Sequence, residues 1–263
     1  MSIDNNLTSK EESFYKTEGF LVREDVFSKS EVYKINKALE SAASKALLLS
    51  REGAAYYLDG KRFVDFDYLT VQFEPGLDSE TIRVIEPAHQ LDEELRKLIR
   101  DPRLVNPIQD IMGMKLISLW TDKLNLKRPK EGTGFGWHQD SPYWVHDSEN
   151  VDLLPNVYLS LDNATLENGC FKVIRGSHTS GCLPGTNDGT QLGGFYTDPS
   201  AFDKAEEVPL EINAGSLVFF NPHIVHGSEP NSTNTQRRAY IITYQPGGLP
   251  ALKSGEIENI RVR

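Results

Sequence analysis

Two cysteines in 263 residues, Cys170 and Cys182, are too few for a disulfide framework, so a reducing, cytoplasmic setting is the default expectation. Long apolar runs are missing as well. Nothing approaches the roughly 18 residues that a membrane-spanning helix needs. The opening stretch, MSIDNNLTSK, has neither a basic start nor an apolar segment and shows no secretory signal. Basic residues are the minority, 28 against 38 acidic, and the net charge of −10 argues against nucleic-acid or anionic-membrane binding. A local basic pocket remains compatible with that balance. Repeats, low-complexity tracts and linker-like stretches are also lacking, so one domain over residues 1–263 is expected. What remains, 38% hydrophobic and 10% aromatic residues, suits a soluble globular core. Nothing in the residues fixes an oligomeric state.

The grammar of the chain changes near residue 115. Before it the sequence reads as helical. Ser28 and Glu31 form a capping box, followed by Val32, Ile35, Leu39, Ala43 and Leu47 at helical spacing. LDEELRKLIRD places Leu91, Leu95 and Ile99 on one stripe. From about 115 to 250, short segments such as KLISLW, NVYLSLD, CFKVI, VPLEI, SLVFF and RAYIITY read as strands between turn residues. Strands after a helical lead-in predict a β-sandwich or barrel with helices packed outside. Residues 181–207, rich in Gly, Thr and Asp, are long for a loop and read as a lid or a disordered insertion.

The segment GFGWHQDSPYW sets a histidine and an aspartate two apart among aromatics and glycines. On a strand, residues i and i+2 share a face, so His138 and Asp140 would project together, opposite Trp137 and Gln139. One more imidazole would complete the 2-His-1-carboxylate set associated with non-haem Fe(II) oxygenases. His89, His146, His178, His223 and His226 are the candidates. His226 is favoured because it follows a strand-like run and precedes the small residues of HGS. His223, three positions earlier, would point the other way. Arg237 opens RRAYIITY, where a guanidinium can clamp a carboxylate through two parallel hydrogen bonds. Arg238 is its rival, and strand parity alone does not choose. Two other readings stay open at this point: a zinc hydrolase on the same three ligands, and a metal-free binding module.

GWHQDSPYW, DNATLENGCFKVIRGSH and FFNPHIVHGSEPNSTNTQRRAY, in that order, resemble the core of the phytanoyl-CoA dioxygenase family, and EGFLVREDVFSKSEV resembles its opening. The resemblance implies a double-stranded β-helix (a jelly-roll, cupin-like core, mostly β with flanking helices). It also implies a dioxygenase dependent on Fe(II), 2-oxoglutarate and O2. On it, His138, Asp140 and His226 are the iron ligands, and Arg237 pairs with the distal carboxylate of 2-oxoglutarate. Ser228 sits beside that arginine, while Gln139 and Tyr158 fall near the co-substrate. Halogenating relatives replace the motif aspartate with a small residue, so Asp140 points to hydroxylation or a related oxidation of a small-molecule substrate, with desaturation, ring closure and demethylation left open. Trp137, Tyr143 and Trp144 would line the cavity mouth. Asn168-Gly169-Cys170 reads as a turn into a core strand with Cys170 buried. KLNLKRPK (123–130), the one basic cluster, runs towards the iron motif and has two readings, a site for an anionic substrate or, the favoured one, a solvated strand end.

Overall fold

The computed structural model describes residues 5–76 and 78–261. In chain order the elements are α1 (Ser9–Glu18), β1 (Phe20–Arg23), α2 (Lys29–Ser50), β2 (Ala54–Leu58), β3 (Lys61–Phe66), β4 (Leu69–Phe73) and β5 (Ile82–Glu86). Then come α3 (Glu93–Leu98), α4 (Pro102–Met112), β6 (Ile117–Lys127), β7 (Phe135–His138), α5 (Ser141–Trp144), β8 (Asn156–Ser160) and β9 (Phe171–Ile174). The chain closes with β10 (Glu207–Leu210), β11 (Leu217–Phe220), β12 (His226–Ser228), β13 (Arg237–Pro246) and β14 (Asn259–Ile260). Capping boxes start α1 (Thr8 with Glu11) and α2 (Ser28 with Glu31), each satisfying two otherwise orphaned backbone N–H groups.

Two antiparallel sheets result. The larger runs β1-β11-β8-β13-β6-β5-β4-β3-β2, with β14 on the side of β6, and the smaller runs β10-β9-β12-β7. Alternation along β11 and β13 shows how they stack. Val218, Phe220, Ala239 and Ile241 pack with Phe171, Val173 and Leu210 of the small sheet. Leu217, Phe219, Tyr240 and Ile242 face the other way, joining Ile35, Leu39, Ala42 and Leu104 of the helices. The centre of the large sheet, at β8, β11 and β13, is thus buried on both faces, and each of those Leu, Ile and Phe side chains contributes roughly 1.5–3 kcal/mol by leaving water. Two facing sheets with helices on one outer side form the jelly roll expected from the sequence.

The helical lead-in is only partly correct. Residues 54–86 form a four-stranded meander, β2 to β5, that extends the large sheet instead of adding helix. Its first turn is Asp59-Gly60, both at positive φ (48° and 74°), the backbone of a tight two-residue hairpin. That dipeptide was the available signal, and the aromatics around it obscured the strand alternation.

His89 lies in the loop after β5, far from any metal set. Its Nδ1 lies 2.5 Å from Asp122 Oδ1 on β6, and Asp122 Oδ2 also accepts from the backbone N–H of Ala88 and His89 and from the Tyr240 hydroxyl. Burial opposes the charge on His89, but the hydrogen bond to Asp122 and its charge outweigh that and hold the imidazole above its ordinary value. A pKa raised by folding gives stability that is complete below the unfolded value and is lost as pH rises through the folded one. Denaturation midpoints should therefore fall across that window in the wild type. His89→Leu should cost roughly 1–3 kcal/mol at low pH, with the gap narrowing as pH rises. A gap independent of pH would contradict a charged pair.

Candidate active site

The small sheet and the first turn after it assemble the site. His138 ends β7 and His226 begins β12, and the two are direct register partners. Their ring centroids are 4.1 Å apart. Asp140 is not on the strand: β7 stops at His138, and Asp140 adopts helical dihedrals (φ −76°, ψ −32°) as the residue before α5. The turn, not strand parity, swings its carboxylate back toward the two imidazoles. One ligand atom from each of the three residues lies within 4.8 Å of the others.

The hydrogen bonds leave the ligating atoms free. His138 Nδ1–H donates to the Gly136 carbonyl at 2.7 Å, and His226 Nδ1–H to the Ile224 carbonyl at 3.0 Å. Both Nε2 atoms are thereby left as unprotonated donors, the arrangement a divalent metal requires. Asn156 Nδ2 donates to Asp140 Oδ2 at 3.0 Å, and Asn156 Oδ1 in turn accepts from Thr243 Oγ1 at 2.5 Å, so the carboxylate is oriented by a buried pair. Burial pushes the His138 imidazole down to about 3, with His226 beside it adding to the effect, and burial lowers His226 as well. The residues fit a divalent metal.

The remaining histidines are held elsewhere. His146 is exposed. His178 lies 3.1 Å from the Lys16 carbonyl through its Nε2. His223 sits in the turn between β11 and β12, with Nε2 2.6 Å from Asp152 Oδ1 and Nδ1 3.7 Å from Cys182 Sγ.

Arg237 and Arg238 separate cleanly. Arg238 points to the helix side and forms ion pairs with Asp162 at 2.7 Å and Glu40 at 2.9 Å. Arg237 points between the sheets, is 2% exposed, and has no carboxylate partner among the described residues. One of its Nη atoms donates to the Tyr158 hydroxyl at 3.1 Å, and its Nε has no acceptor. A buried guanidinium so poorly satisfied is costly unless an anion completes it. Tyr158 and Ser228 both line the same cavity of about 310 Å³ as the three ligands and Arg237.

Gln139 departs from its expected place beside the co-substrate. It is fully buried and does not line the cavity. Its Nε2 donates to the carbonyls of Gly181 (2.8 Å) and His223, and its Oε1 accepts from the Leu183 N–H at 2.7 Å. It anchors the start of the 181–207 segment. That segment is an ordered cover: Asp59 accepts from the N–H groups of Gln191 and Leu192, Lys61 donates to the Tyr196 hydroxyl, and Leu192 and Tyr196 form cavity wall. Tyr143 also lines the cavity, stacked on Phe195 of the cover with centroids 4.4 Å apart. Trp144 instead packs with Trp120 and Leu154, and Trp137 against Phe202.

Three residues escaped the sequence reading. KLNLKRPK is no solvated strand end. Lys127 is 1% exposed and donates to Ser228 Oγ at 2.8 Å, to the Gly169 carbonyl at 3.3 Å and to the Glu229 carbonyl. Burial, with Arg237 and Arg83 nearby, pushes its ammonium down to about 5. Lys123, four positions earlier on the same strand face, lines the cavity. Arg83 on β5 stacks on the Phe135 ring at 3.9 Å and donates to Thr133 Oγ1 and the Gly134 carbonyl. The alternation K-L-N-L-K was the signal for an inward polar face. Gly169, at φ +76°, is needed here: a Cβ would meet the Glu229 carbonyl oxygen at 2.1 Å. As expected, Asn168 closes the turn and Cys170 is buried.

A two-histidine, one-carboxylate set opening into a jelly-roll cavity defines the class of non-haem metal oxygenase sites. The chain belongs to the phytanoyl-CoA dioxygenase (PhyH) family, whose model matches residues 15–239. It is 30% identical over 183 residues to an L-proline trans-4-hydroxylase of Streptomyces griseoviridis, covering 63% of this chain and 68% of that one. It is 26% identical to a phytanoyl-CoA dioxygenase domain-containing protein 1 homolog of Caenorhabditis elegans, over 87% of each. Among solved structures, EctD from S. alaskensis with 2-oxoglutarate and 5-hydroxyectoine superposes with a TM-score of 0.72 at 22% identity, covering 98% of this chain and 80% of that one.

The Gln139 anchor generates a prediction. Gln139→Leu removes three hydrogen bonds to the cover and the turn, so limited proteolysis within 181–207 should accelerate by about 5- to 30-fold, for an opening eased by one or two kcal/mol. Unchanged cleavage would show that the cover is held by other contacts.

Proposed function

We propose that the protein is an Fe(II)- and 2-oxoglutarate-dependent dioxygenase that hydroxylates an unactivated C–H bond of a small molecule, releasing succinate and CO2. The observation that carries this reading is Arg237: a buried, carboxylate-free guanidinium in the same cavity as a metal-ligand triad. Its need for an anion is met by the far carboxylate of a 2-oxo diacid. A zinc hydrolase would leave that arginine without a purpose.

His138 Nε2, Asp140 and His226 Nε2 would hold the metal, with Asn156 fixing the carboxylate. Arg237 and the Tyr158 hydroxyl receive the distal carboxylate, with Ser228 and Lys127 beside them. Iron with 2-oxoglutarate and O2 supplies the oxidising chemistry by oxidative decarboxylation of the co-substrate. The protein's share is placement and dryness. Leu192, Tyr196 and Tyr143 exclude water from above, and Phe171 and Phe220 from the sheet side. Asp140 fills the third ligand position, which favours hydroxylation over halogenation. The name of the proline hydroxylase relative supports a small-molecule substrate. No helix among the described residues is long and apolar enough to cross a membrane. The two unpaired cysteines support a reducing, cytoplasmic setting, and sheet pairing that reaches from β1 to β14 supports one domain over 1–263.

Two expectations follow. Protein purified without oxygen should bind about one Fe(II) per chain, His226→Ala should lose it, and His223→Ala should keep it. Iron retained by His226→Ala would overturn the ligand assignment. Arg237→Ala should weaken 2-oxoglutarate binding, measured by calorimetry, by about 2 kcal/mol or more, roughly thirtyfold. Arg238→Ala should leave that affinity alone while lowering the melting temperature. Equal losses in both would remove Arg237 from the co-substrate site.

A further inference from the structure

The chain is strongly acidic, yet the wall of this cavity is not. Lys61, Arg83, Lys123, Arg237 and Lys253 line it, against the carboxylates of Glu86 and Asp140. Several of these charges are already committed. Asp140 faces the metal position, Arg237 faces the co-substrate, and Arg83 lies 3.9 Å from Glu74 and is fixed on Phe135. Three ammonium groups and one carboxylate remain for whatever enters next, with Lys123 already in the field of Glu86 and Asp140. None of the three has a carboxylate within 4.0 Å among the described residues. Lys61 donates to the Tyr196 hydroxyl at 3.1 Å and Lys253 to Thr70 Oγ1 at 3.0 Å. Lys123 lies over the Trp144 ring, 5.2 Å from its centroid.

The positions are ordered along one strand pair. On β6 and β13, Lys127 faces Arg237 across the register and Lys123 faces Ile241. Four residues of strand set the two ends about 13 Å apart. Lys123, at the α5 end, therefore enters the cavity from a different strand position than Arg237, while Tyr158, in register with Ile241, reaches back to the guanidinium. Tyr56, Phe63, Tyr143 and Tyr196 supply aromatic wall between the cations. A concentration of one charge sign in a low-dielectric cleft focuses the field on a ligand of the opposite sign, whatever the net charge of the molecule.

We propose that the oxidised substrate is a small organic acid, a carboxylate or a phosphonate or phosphate ester, whose anionic group is held by Lys123 while its hydrocarbon body lies against the aromatic wall. Lys61 and Lys253 reinforce the field from the meander and the rim. Glu86, hydrogen-bonded by Thr121 Oγ1 at 2.7 Å, sets the limit of the positive patch. This proposal rests on the dioxygenase reading, and its test separates the two.

The enzyme loaded anaerobically with Fe(II) is first titrated with 2-oxoglutarate, so that failure of the dioxygenase reading shows before any substrate is added. A size-matched library of small carboxylates, phosphonates, phosphate esters, neutral amides and amines is then screened aerobically for succinate release above the background without substrate. The stimulating compounds should be acids. Lys123→Met should raise their KM by roughly 10- to 100-fold, the value of one charge-assisted hydrogen bond, while still binding 2-oxoglutarate. Lys123→Arg should recover part of the loss. Carboxylate hits against phospho-acid hits would identify the anion. Hits confined to amides or amines would overturn the proposal. So would acid hits indifferent to Lys123→Met, or an enzyme that binds 2-oxoglutarate but answers to no acid in the library.

Discussion

A guanidinium buried between two sheets without a carboxylate beside it constrains everything else in the site. Desolvating an unpaired cation costs several kcal/mol, and one hydroxyl, that of Tyr158, offsets little of it. The fold accepts this cost at Arg237 because the residue sits on β13, locked by pairing to both β6 and β8. The same pairing places Lys127 opposite Arg237, and Tyr158, opposite Ile241, reaches back to the guanidinium through its hydroxyl, so strands rather than loops hold the groups around Arg237. The metal end is built differently, by the abutting ends of β7 and β12 and a helical turn at Asp140.

Much of this was readable in the residues, because the chemistry depends on side chains with few other uses. His138, Asp140 and His226 form the group that geometry brings together, and the strand-rich second half was visible from turn residues and β-branched runs. What could not be read was direction. Because β13 is buried on both faces, RRAYIITY shows apolar residues on either parity, and Arg237 and Arg238 look equivalent. Their partners distinguish them: Asp162 and Glu40 of α2 take Arg238, while Arg237 turns to the cavity. The HxD pair was placed on one face for the wrong reason, since the strand ends before Asp140. The meander of β2 to β5 reads as helix in the sequence although Asp59-Gly60 announces a hairpin, and it supplies about a third of the cavity wall.

The neighbouring Gln139 illustrates how a residue inside a metal motif can act at a distance. Flanked by two ligands but turned from the cavity, it spends its whole amide on Gly181, Leu183 and His223. Opening the cover and disturbing the ligand turn are thereby coupled mechanically. The middle of the cover is tied to the meander through Asp59 and Lys61, so the parts that close the cavity come from both halves of the sequence. Charge is unevenly placed as well, with five cations on the cavity wall of a chain whose net charge is −10.

The central claim, that one cavity holds Fe(II) through His138, Asp140 and His226 and a 2-oxo diacid through Arg237, is tested most directly by anaerobic absorption spectroscopy. Fe(II) is added to the metal-free protein, followed by 2-oxoglutarate. A visible charge-transfer band that forms only with both, and weakens in Arg237→Ala, is the expected result. Absence of the band from protein that binds stoichiometric iron, or its full retention in Arg237→Ala, would contradict the account.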